Sequence, residues 1–181
     1  KSQHKATPAD EMILQDKDIN FRVINLASNT FNESNTSYYH KSIGGYSPAK
    51  LRRYQDIIDF YLSPELLMPK VGAKLMAEQK GDSIPDPKEL NILNMLNTKY
   101  YVVPVGEGQT YPFLNKDAFG NAWFVKSVKF VDNPDQEILA LKDAPLKEVA
   151  IVDVKFKDQI KNRIFNIDST STIKNTLCVP N

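Results

Sequence analysis

Residues 42–56 constrain the fold most, because a turn-forming stretch there runs directly into the most regular apolar stripe of the chain. The Gly44-Gly45 pair permits a backbone with positive φ, and Ser47-Pro48 is the pattern of a helix N-cap and first helical residue. Apolar residues then recur at the spacing of an amphipathic helix, at Leu51, Tyr54, Ile57, Ile58, Tyr61 and Leu62. We therefore predict a sharp turn into a helix that begins at Pro48.

Four further segments carry helix signals. A capping residue followed by proline opens three of them, at Thr7-Pro8, Ser63-Pro64 and Asn133-Pro134. We predict that the helix after Ser63 is interrupted near Pro69, because proline removes a backbone donor. The fourth helix is predicted over residues 87–96.

Four runs rich in β-branched and aromatic residues read as strands. They cover residues 20–26, 99–104, 122–131 and 148–156. Between the first of these strands and the helix at Pro48, residues 27–47 are too polar and turn-prone for a regular element, so we predict a loop ordered by its aromatic side chains. Together, these helices and strands predict a mixed α/β (α+β) fold, with helices packed on a mixed sheet of about four or five strands.

Length and charge limit the class of protein. A chain of 181 residues that is 41% hydrophobic can bury the core of one ordinary domain, so we predict a single domain over residues 1–181 with an exposed internal linker at 80–87. The net charge of +1 gives no broad field for steering nucleic acid, and no nucleic-acid partner is expected. Cys178 is the only cysteine, which excludes an intrachain disulfide and metal sites built on cysteine pairs.

Two sequence features concern the cellular location. No apolar run approaches the about 20 residues that cross a bilayer, and no signal peptide opens the chain. The chain begins at Lys1 without a methionine, which favours processing or a domain of a longer protein.

The nearest candidate for a site is a group of cations around the predicted helix start. Lys50, Arg52 and Arg53, helped by Lys41 from the preceding loop, could capture a phosphate or pyrophosphate there. Two structural alternatives stay open. The cations could be solvated and paired with Asp56 and Asp59, or one inward-facing arginine could tie down the aromatic loop.

Aromatic residues offer a second candidate surface. A platform for sugar rings could be formed by Tyr38, Tyr39, Tyr46, Tyr54, Tyr61 and Trp123. Residues at helical and strand spacing more often belong to a core, which is the alternative. His40 has no partner at metal-ligand spacing, so we expect a structural or solvent-exposed role for it rather than a catalytic one. Known nucleotide-binding, hydrolase and metalloprotease signatures are absent from the sequence, and no cofactor or metal is expected.

Several of these blocks, taken together, resemble the YfhO-type bacterial membrane proteins. The matching blocks are FRVIN at 21–25, TSYYHKSIGGY at 36–46, AKLRRYQD at 49–56, LNMLNTKY at 93–100 and GNAWFV at 120–125. The chain departs from the pattern of that family at its end. It stops after Pro180-Asn181 where related sequences continue into further β-structure, so we expect a final strand without its partner.

The resemblance implies a soluble extracytoplasmic segment, on the periplasmic face of the bacterial inner membrane, of a multi-spanning protein similar to lipid-linked-donor glycosyltransferases. The catalytic acid of that class is expected outside this segment, so no catalytic residue is carried over. The implied partners are the membrane helices of the parent protein and a glycan or polyprenyl-phosphate sugar.

Two functional hypotheses follow. In the first, the segment is not itself catalytic and positions a glycan acceptor or a lipid-phosphate-linked sugar donor, with Lys41, Lys50, Arg52, Arg53 and Tyr46 as ligand-binding residues. In the second, it is a structural or protein-interaction module with no ligand of its own. A free-standing enzyme is disfavoured, because no set of acid, base and nucleophile converges in the sequence.

Overall fold

A computed structural model describes residues 4–81 and 90–161, which divide into two compact units, the first ending at Ala118 and the second beginning at Phe119. The helices of the first unit are α1 (Pro8–Ile13), α2 (Asn35–Tyr39), α3 (Arg52–Ile57), α4 (Pro64–Lys80) and α5 (Leu90–Met95), and its strands are β1 (Arg22–Asn25), β2 (Thr98–Gly106) and β3 (Gln109–Leu114). The second unit holds β4 (Ser127–Val131), α6 (Pro134–Ala140) and β5 (Val149–Asp153). The predicted mixed α/β class is confirmed, with five strands in the described part of the chain.

The strands form two sheets rather than one. In the first unit β2 is central, parallel to β1 and antiparallel to β3. In the second unit β4 and β5 pair in parallel, with α6 between them in sequence. Parallel strands need a crossover connection, and α6 provides it.

Helix α1 and the first sheet share a small apolar core. Ala9 and Ile13 of α1 pack against Val23 of β1 and Val102 of β2, and all four are buried. As predicted, α1 begins after Thr7, which forms a reciprocal capping box with Asp10. The strand predicted over residues 20–26 is confirmed as β1, and the one over 99–104 lies within β2.

The prediction that a helix begins at Pro48 is wrong, because α3 begins at Arg52 after an extended Leu51. The Ser47 hydroxyl does not cap a helix but accepts the backbone N–H of Ala49, two residues on. Leu51 is 79% exposed, so the apolar stripe is first buried at Ile58, Tyr61 and Leu62. These three residues lie in the π-helical turn Ile58–Leu62 that follows α3.

Three elements differ from the predicted ones in the first unit. Residues 27–47 contain the short helix α2. Helix α4 continues through Pro69, since the carbonyl left without its donor belongs to Glu65, an exposed residue near the helix start. Strand β3 was not predicted because Pro112 interrupts its pattern, although proline is tolerated at a sheet edge.

Other predicted boundaries also differ from those in the structure. Of the strand predicted over residues 122–131 only β4 forms, and the strand over 148–156 ends at Asp153 and gives way to the 3-10 helix Val154–Gln159. The predicted linker begins inside α4 at Lys80, and its residues 82–87 lie outside the described residues. The same holds for the expected final strand and for Cys178.

Candidate functional site

Residues 27–47 fold into a lobe organised around the backbone of Thr30. The Thr30 carbonyl accepts the N–H of Gly45 at 2.7 Å, and its hydroxyl donates to the Asn25 carbonyl at 2.7 Å. A Cβ on Gly44 would come within 1.9 Å of that Thr30 carbonyl oxygen. Gly45 has a φ of 99°, a backbone conformation that residues with a side chain rarely adopt. The lobe therefore requires glycine at position 44 because the Thr30 carbonyl is close, and at position 45 because φ is positive.

Glu33 joins α2 to the segment that carries Tyr46. Its carboxylate accepts the backbone N–H of Thr36 in the first turn of α2 at 3.0 Å, and its carbonyl accepts the N–H of Tyr46 at 3.0 Å. The Asn25 side chain donates to the Thr36 hydroxyl at 3.1 Å, which links α2 to the end of β1. The backbone of Tyr46 is consequently fixed by the sheet through the lobe.

A groove with a volume of about 540 Å³ opens between this lobe and the start of α3. It is lined by Phe31, Asn32, Tyr46, Ser47, Pro48, Lys50, Arg52 and Gln55. Two of these residues are cations and none is an acid, so the lining favours an anionic group. The aromatic rings and the side-chain amides add a flat apolar surface and hydrogen-bonding groups.

Lys50 holds the lobe in place as well as lining the groove. Its ammonium donates to the Phe31 carbonyl at 3.3 Å and lies 5.6 Å from the centre of the Phe31 ring. The side chain predicted to tie down the aromatic loop was an arginine, and here a lysine makes such a contact. Lys50 is therefore partly neutralised by protein dipoles.

Arg52 is the more accessible cation of the groove. Its side chain is 94% exposed, and its Nε lies 3.6 Å from a carboxylate oxygen of Asp56. A contact of that length between exposed groups is weak, which leaves the guanidinium able to contact a ligand. Asp59, the other acid expected to pair with a cation, accepts a hydrogen bond from Gln55 at 2.8 Å.

The structure brings three of the five proposed ligand-binding residues to one groove, namely Tyr46, Lys50 and Arg52. Lys41 and Arg53 are exposed and lie outside its lining. The cations were predicted to lie around a helix start at Pro48, and Lys50 instead precedes α3, which begins at Arg52. The site is a groove with cationic side chains rather than a helix-end anion site.

The six aromatic residues considered for a sugar platform are divided among separate environments. Tyr61 is buried, and Tyr54 donates its hydroxyl to the Ile43 carbonyl. Burial raises the pKa of Tyr54. Trp123 belongs to the second unit, where its indole N–H donates to the Leu146 carbonyl at 3.1 Å.

Tyr38 stacks on His4 with ring centres 4.9 Å apart, and Tyr39 donates its hydroxyl to the His4 carbonyl at 2.9 Å. Of the six aromatic residues, Tyr46 lines the groove, and it is 66% exposed. Its ring is thus available to a ligand that enters the groove.

His40 joins the lobe to α1. Its Nε2 lies 2.9 Å from Oδ1 of Asp10, and both side chains are buried, with 3% and 9% exposed. The other carboxylate oxygen of Asp10 accepts the N–H and hydroxyl of Thr7. This arrangement gives His40 a structural role, one of the two roles expected for it.

A buried polar cluster in the first unit was not predicted. Lys74 of α4 lies 3.3 Å from Oδ1 of Asn115 and 2.5 Å from Oδ2 of Asp117. The Asn115 amide donates to Oδ1 of Asn94 at 2.8 Å and to the Thr98 carbonyl at 2.7 Å. One signal was present in the sequence, since Lys74 continues the stripe of Leu67 and Val71 at helical spacing.

A second ionic cluster joins the segment after α1 to β2. Lys99 lies 2.6 Å from Asp16, and Tyr100 donates its hydroxyl to the same carboxylate at 2.8 Å. The hydrogen bond from Lys99 lowers the pKa of Asp16 to about 2. Burial, reinforced by the contact with Asp16, raises the pKa of Tyr100 to about 12.

Comparison with known proteins gives no relative: neither a protein-family model, nor a curated protein, nor a solved structure matches this chain. In residues 4–81 and 90–161 no helix has the length and apolar character needed to cross a membrane. The same residues contain no group of three or more His, Cys, Asp or Glu side chains arranged to hold a metal ion.

Proposed function

We propose that this chain is a non-catalytic, extracytoplasmic binding domain that positions a glycan acceptor or a lipid-phosphate-linked sugar donor for a membrane glycosyltransferase. The observation that carries the proposal is the groove of Tyr46, Lys50 and Arg52, which combines two cations with an exposed aromatic ring and has no acid in its lining. The membrane context is taken from the resemblance to YfhO-type proteins and is part of the proposal.

The groove chemistry suits a sugar that carries a phosphate or another acidic group. The Arg52 guanidinium can form paired hydrogen bonds to two phosphate oxygens, while the Tyr46 ring offers a face to the apolar side of a sugar ring. The side-chain amides of Asn32 and Gln55 can bind hydroxyl groups. The volume of about 540 Å³ lies within the usual range for small-molecule sites.

The alternative is a structural or interaction module that docks on the membrane helices of its parent protein or on another protein. Exposed apolar residues favour it, since Leu51, between two residues of the groove lining, is 79% exposed and Phe60 is 51% exposed. In this case the Lys50 contact with Phe31 would serve only to shape the docking surface.

Titration of the isolated chain with ligands distinguishes the two functions. Binding is measured by calorimetry or by NMR of the groove amides. Three probes are used: a short-chain prenyl-phosphate hexose, a hexose 1-phosphate and a neutral oligosaccharide of the same hexose. We expect the two phosphorylated probes to bind through the groove if the ligand is a donor. Preferential binding of the neutral oligosaccharide would indicate a glycan acceptor.

Arg52→Ala and Arg53→Ala form a matched pair, because these neighbouring arginines are both exposed and only Arg52 lines the groove. Arg52→Ala is expected to weaken binding of the phosphorylated probes by about 5- to 30-fold, and Arg53→Ala by less than about 2-fold. Tyr46→Ala should weaken binding of every sugar probe. Absence of binding by all three probes, or equal losses from the two arginine variants, would refute the proposed site.

A further inference from the structure

The buried cluster at Lys74 places an amine against a side-chain amide. The Lys74 side chain is 7% exposed and the whole of Asn115 is 2% exposed, so both groups are withdrawn from bulk water. Nζ of Lys74 lies 3.3 Å from Oδ1 of Asn115, the oxygen that is bonded to the amide carbon. An amine and a carboxamide held in this way are the reactants of an amide exchange.

The orientation of the Asn115 side chain is fixed by its neighbours. Its amide nitrogen donates to Oδ1 of Asn94 and to the Thr98 carbonyl, at 2.8 and 2.7 Å. Its oxygen accepts hydrogen bonds from Lys74 and from the backbone N–H of Asp117, the latter at 3.2 Å. A backbone donor on this oxygen stabilises the negative charge that develops when the carbonyl carbon is attacked.

Asp117 supplies the acid-base group that the exchange requires. Its carboxylate oxygen lies 2.5 Å from Nζ of Lys74, in line to accept a proton from the ammonium. Asp117 is 54% exposed in its side chain, which gives the released proton and the leaving group a route to water.

We propose that Lys74 and Asn115 form an intramolecular isopeptide bond, with Asp117 as the catalytic acid and base. Asp117 takes a proton from the Lys74 ammonium, and the neutral amine attacks Cγ of Asn115 to form the new C–N bond. Asp117 then transfers the proton to Nδ2 of Asn115 and receives the second proton from Nζ. The bond from Cγ to Nδ2 breaks with its electron pair on nitrogen, and ammonia leaves. The ammonia takes the proton that Asp117 then holds, so an ammonium ion is released and Asp117 is again a carboxylate, with no oxidant or cofactor.

The product would cross-link α4 to the segment that follows β3. Lys74 and Asn115 belong to different elements of the first unit, so the bond would close a large covalent ring around α5 and the β2–β3 hairpin. Lys99, another lysine paired with aspartate, contacts carboxylates of Asp16 and Asp18 and has no such amide in those contacts.

The test is the intact mass of the purified chain under denaturing conditions, before and after prolonged incubation at neutral pH. The bond lowers the mass by about 17 Da, the mass of one ammonia molecule. Trypsin digestion should then give a branched peptide, in which residues 71–80 are joined through Lys74 to residues 100–116, without cleavage after Lys74. An unchanged mass and cleavage after Lys74 would overturn the proposal, whatever the stability of any variant.

Lys74→Arg is the matched control, because it keeps the positive charge but removes the nucleophilic amine. It should have the full mass, as should Asn115→Ala, while Asp117→Asn should form the bond at a reduced rate or not at all. A loss of about 17 Da that persists in Lys74→Arg would come from cyclisation of an asparagine with its own backbone. That result would also overturn the proposal.

Discussion

Arg52 in the groove and Lys74 in the buried cluster are both cations of the first unit, yet their surroundings are opposite. Arg52 is 94% exposed and has a carboxylate at 3.6 Å, whereas Lys74 is 7% exposed and contacts an amide oxygen and a carboxylate. Water screens the first charge and leaves it available to a ligand. The second charge is withdrawn from water and depends on its protein partners. The same kind of charge thus serves binding in one place and internal chemistry or stability in the other.

The largest expected effect in this comparison is that of Lys74→Ala. It removes a donor from Asn115 and the apolar stem that continues the stripe of α4, so the free energy of unfolding should fall by about 2–3 kcal/mol relative to wild-type chains in which Lys74 and Asn115 are not cross-linked. Arg52→Ala should change it by less than about 0.5 kcal/mol. Urea unfolding of both variants measures the difference, and equal effects would show that burial does not separate the two cations.

A similar contrast is expected for two glycines. Gly44→Ala forces a Cβ against the Thr30 carbonyl and should destabilise the lobe by about 2 kcal/mol. Gly72 lies in α4, where an added Cβ would meet open space within 4 Å, so Gly72→Ala should stabilise the chain by up to about 1 kcal/mol. Thermal unfolding of the two variants tests this, and a tolerated Gly44→Ala would show that the lobe can shift. Of the two variants, only Gly44→Ala should also lower the affinity for a ligand.

An effect smaller than those of Lys74→Ala and Gly44→Ala is expected from Asp16, whose partner Lys99 is intermediate between the two cations with a side chain 25% exposed. The folded pKa of Asp16, about 2, lies below its ordinary value of 3.8. Its contribution is therefore fully present above about pH 4 and is lost as the pH falls towards 2. Screening limits it to about 1 kcal/mol.

Urea unfolding of the wild type and of Asp16→Asn at pH 5 and pH 2 measures this contribution. The two proteins should differ at pH 5 and converge at pH 2. In addition, Asp16→Asn should lower the pKa of Tyr100 from about 12, because it removes the negative charge next to the phenol. A spectrophotometric titration of the tyrosines follows that change.

Local signals predicted those parts of the fold that local interactions determine. Thr7 and Asn133 cap α1 and α6 as expected, because a capping side chain bonds to a backbone N–H three residues away. Ser47-Pro48 carries the same signal but does not cap a helix, since Leu51 stays extended and exposed. A capping pattern alone does not decide where the tertiary structure allows the helix to begin.

The candidate site was predictable only in part. Tyr46, Lys50 and Arg52 lie within seven residues of one another, so their proximity could be read from the sequence. Phe31 joins them only through the folding of the lobe. Lys74 and Asn115 lie far apart in sequence and on different elements, and nothing in the local pattern relates them. Contacts of this kind depend on the tertiary fold, which the spacing of residues along the sequence does not predict.

The pairing of β1 with β2 has a consequence for how the groove is made. Arg22 pairs with Thr98, whereas in the second sheet Ser127 pairs with Val149, so the first parallel contact closes a much longer loop than the second. The entropic cost of closing a loop rises with the length of the loop, and contacts between residues distant in sequence form slowly. The lobe, α3 and the groove all lie inside the longer loop. A peptide cut from residues 27–63 would lack the strand pair of β1 and β2, and with it the Asn25 contacts that attach the lobe to the sheet.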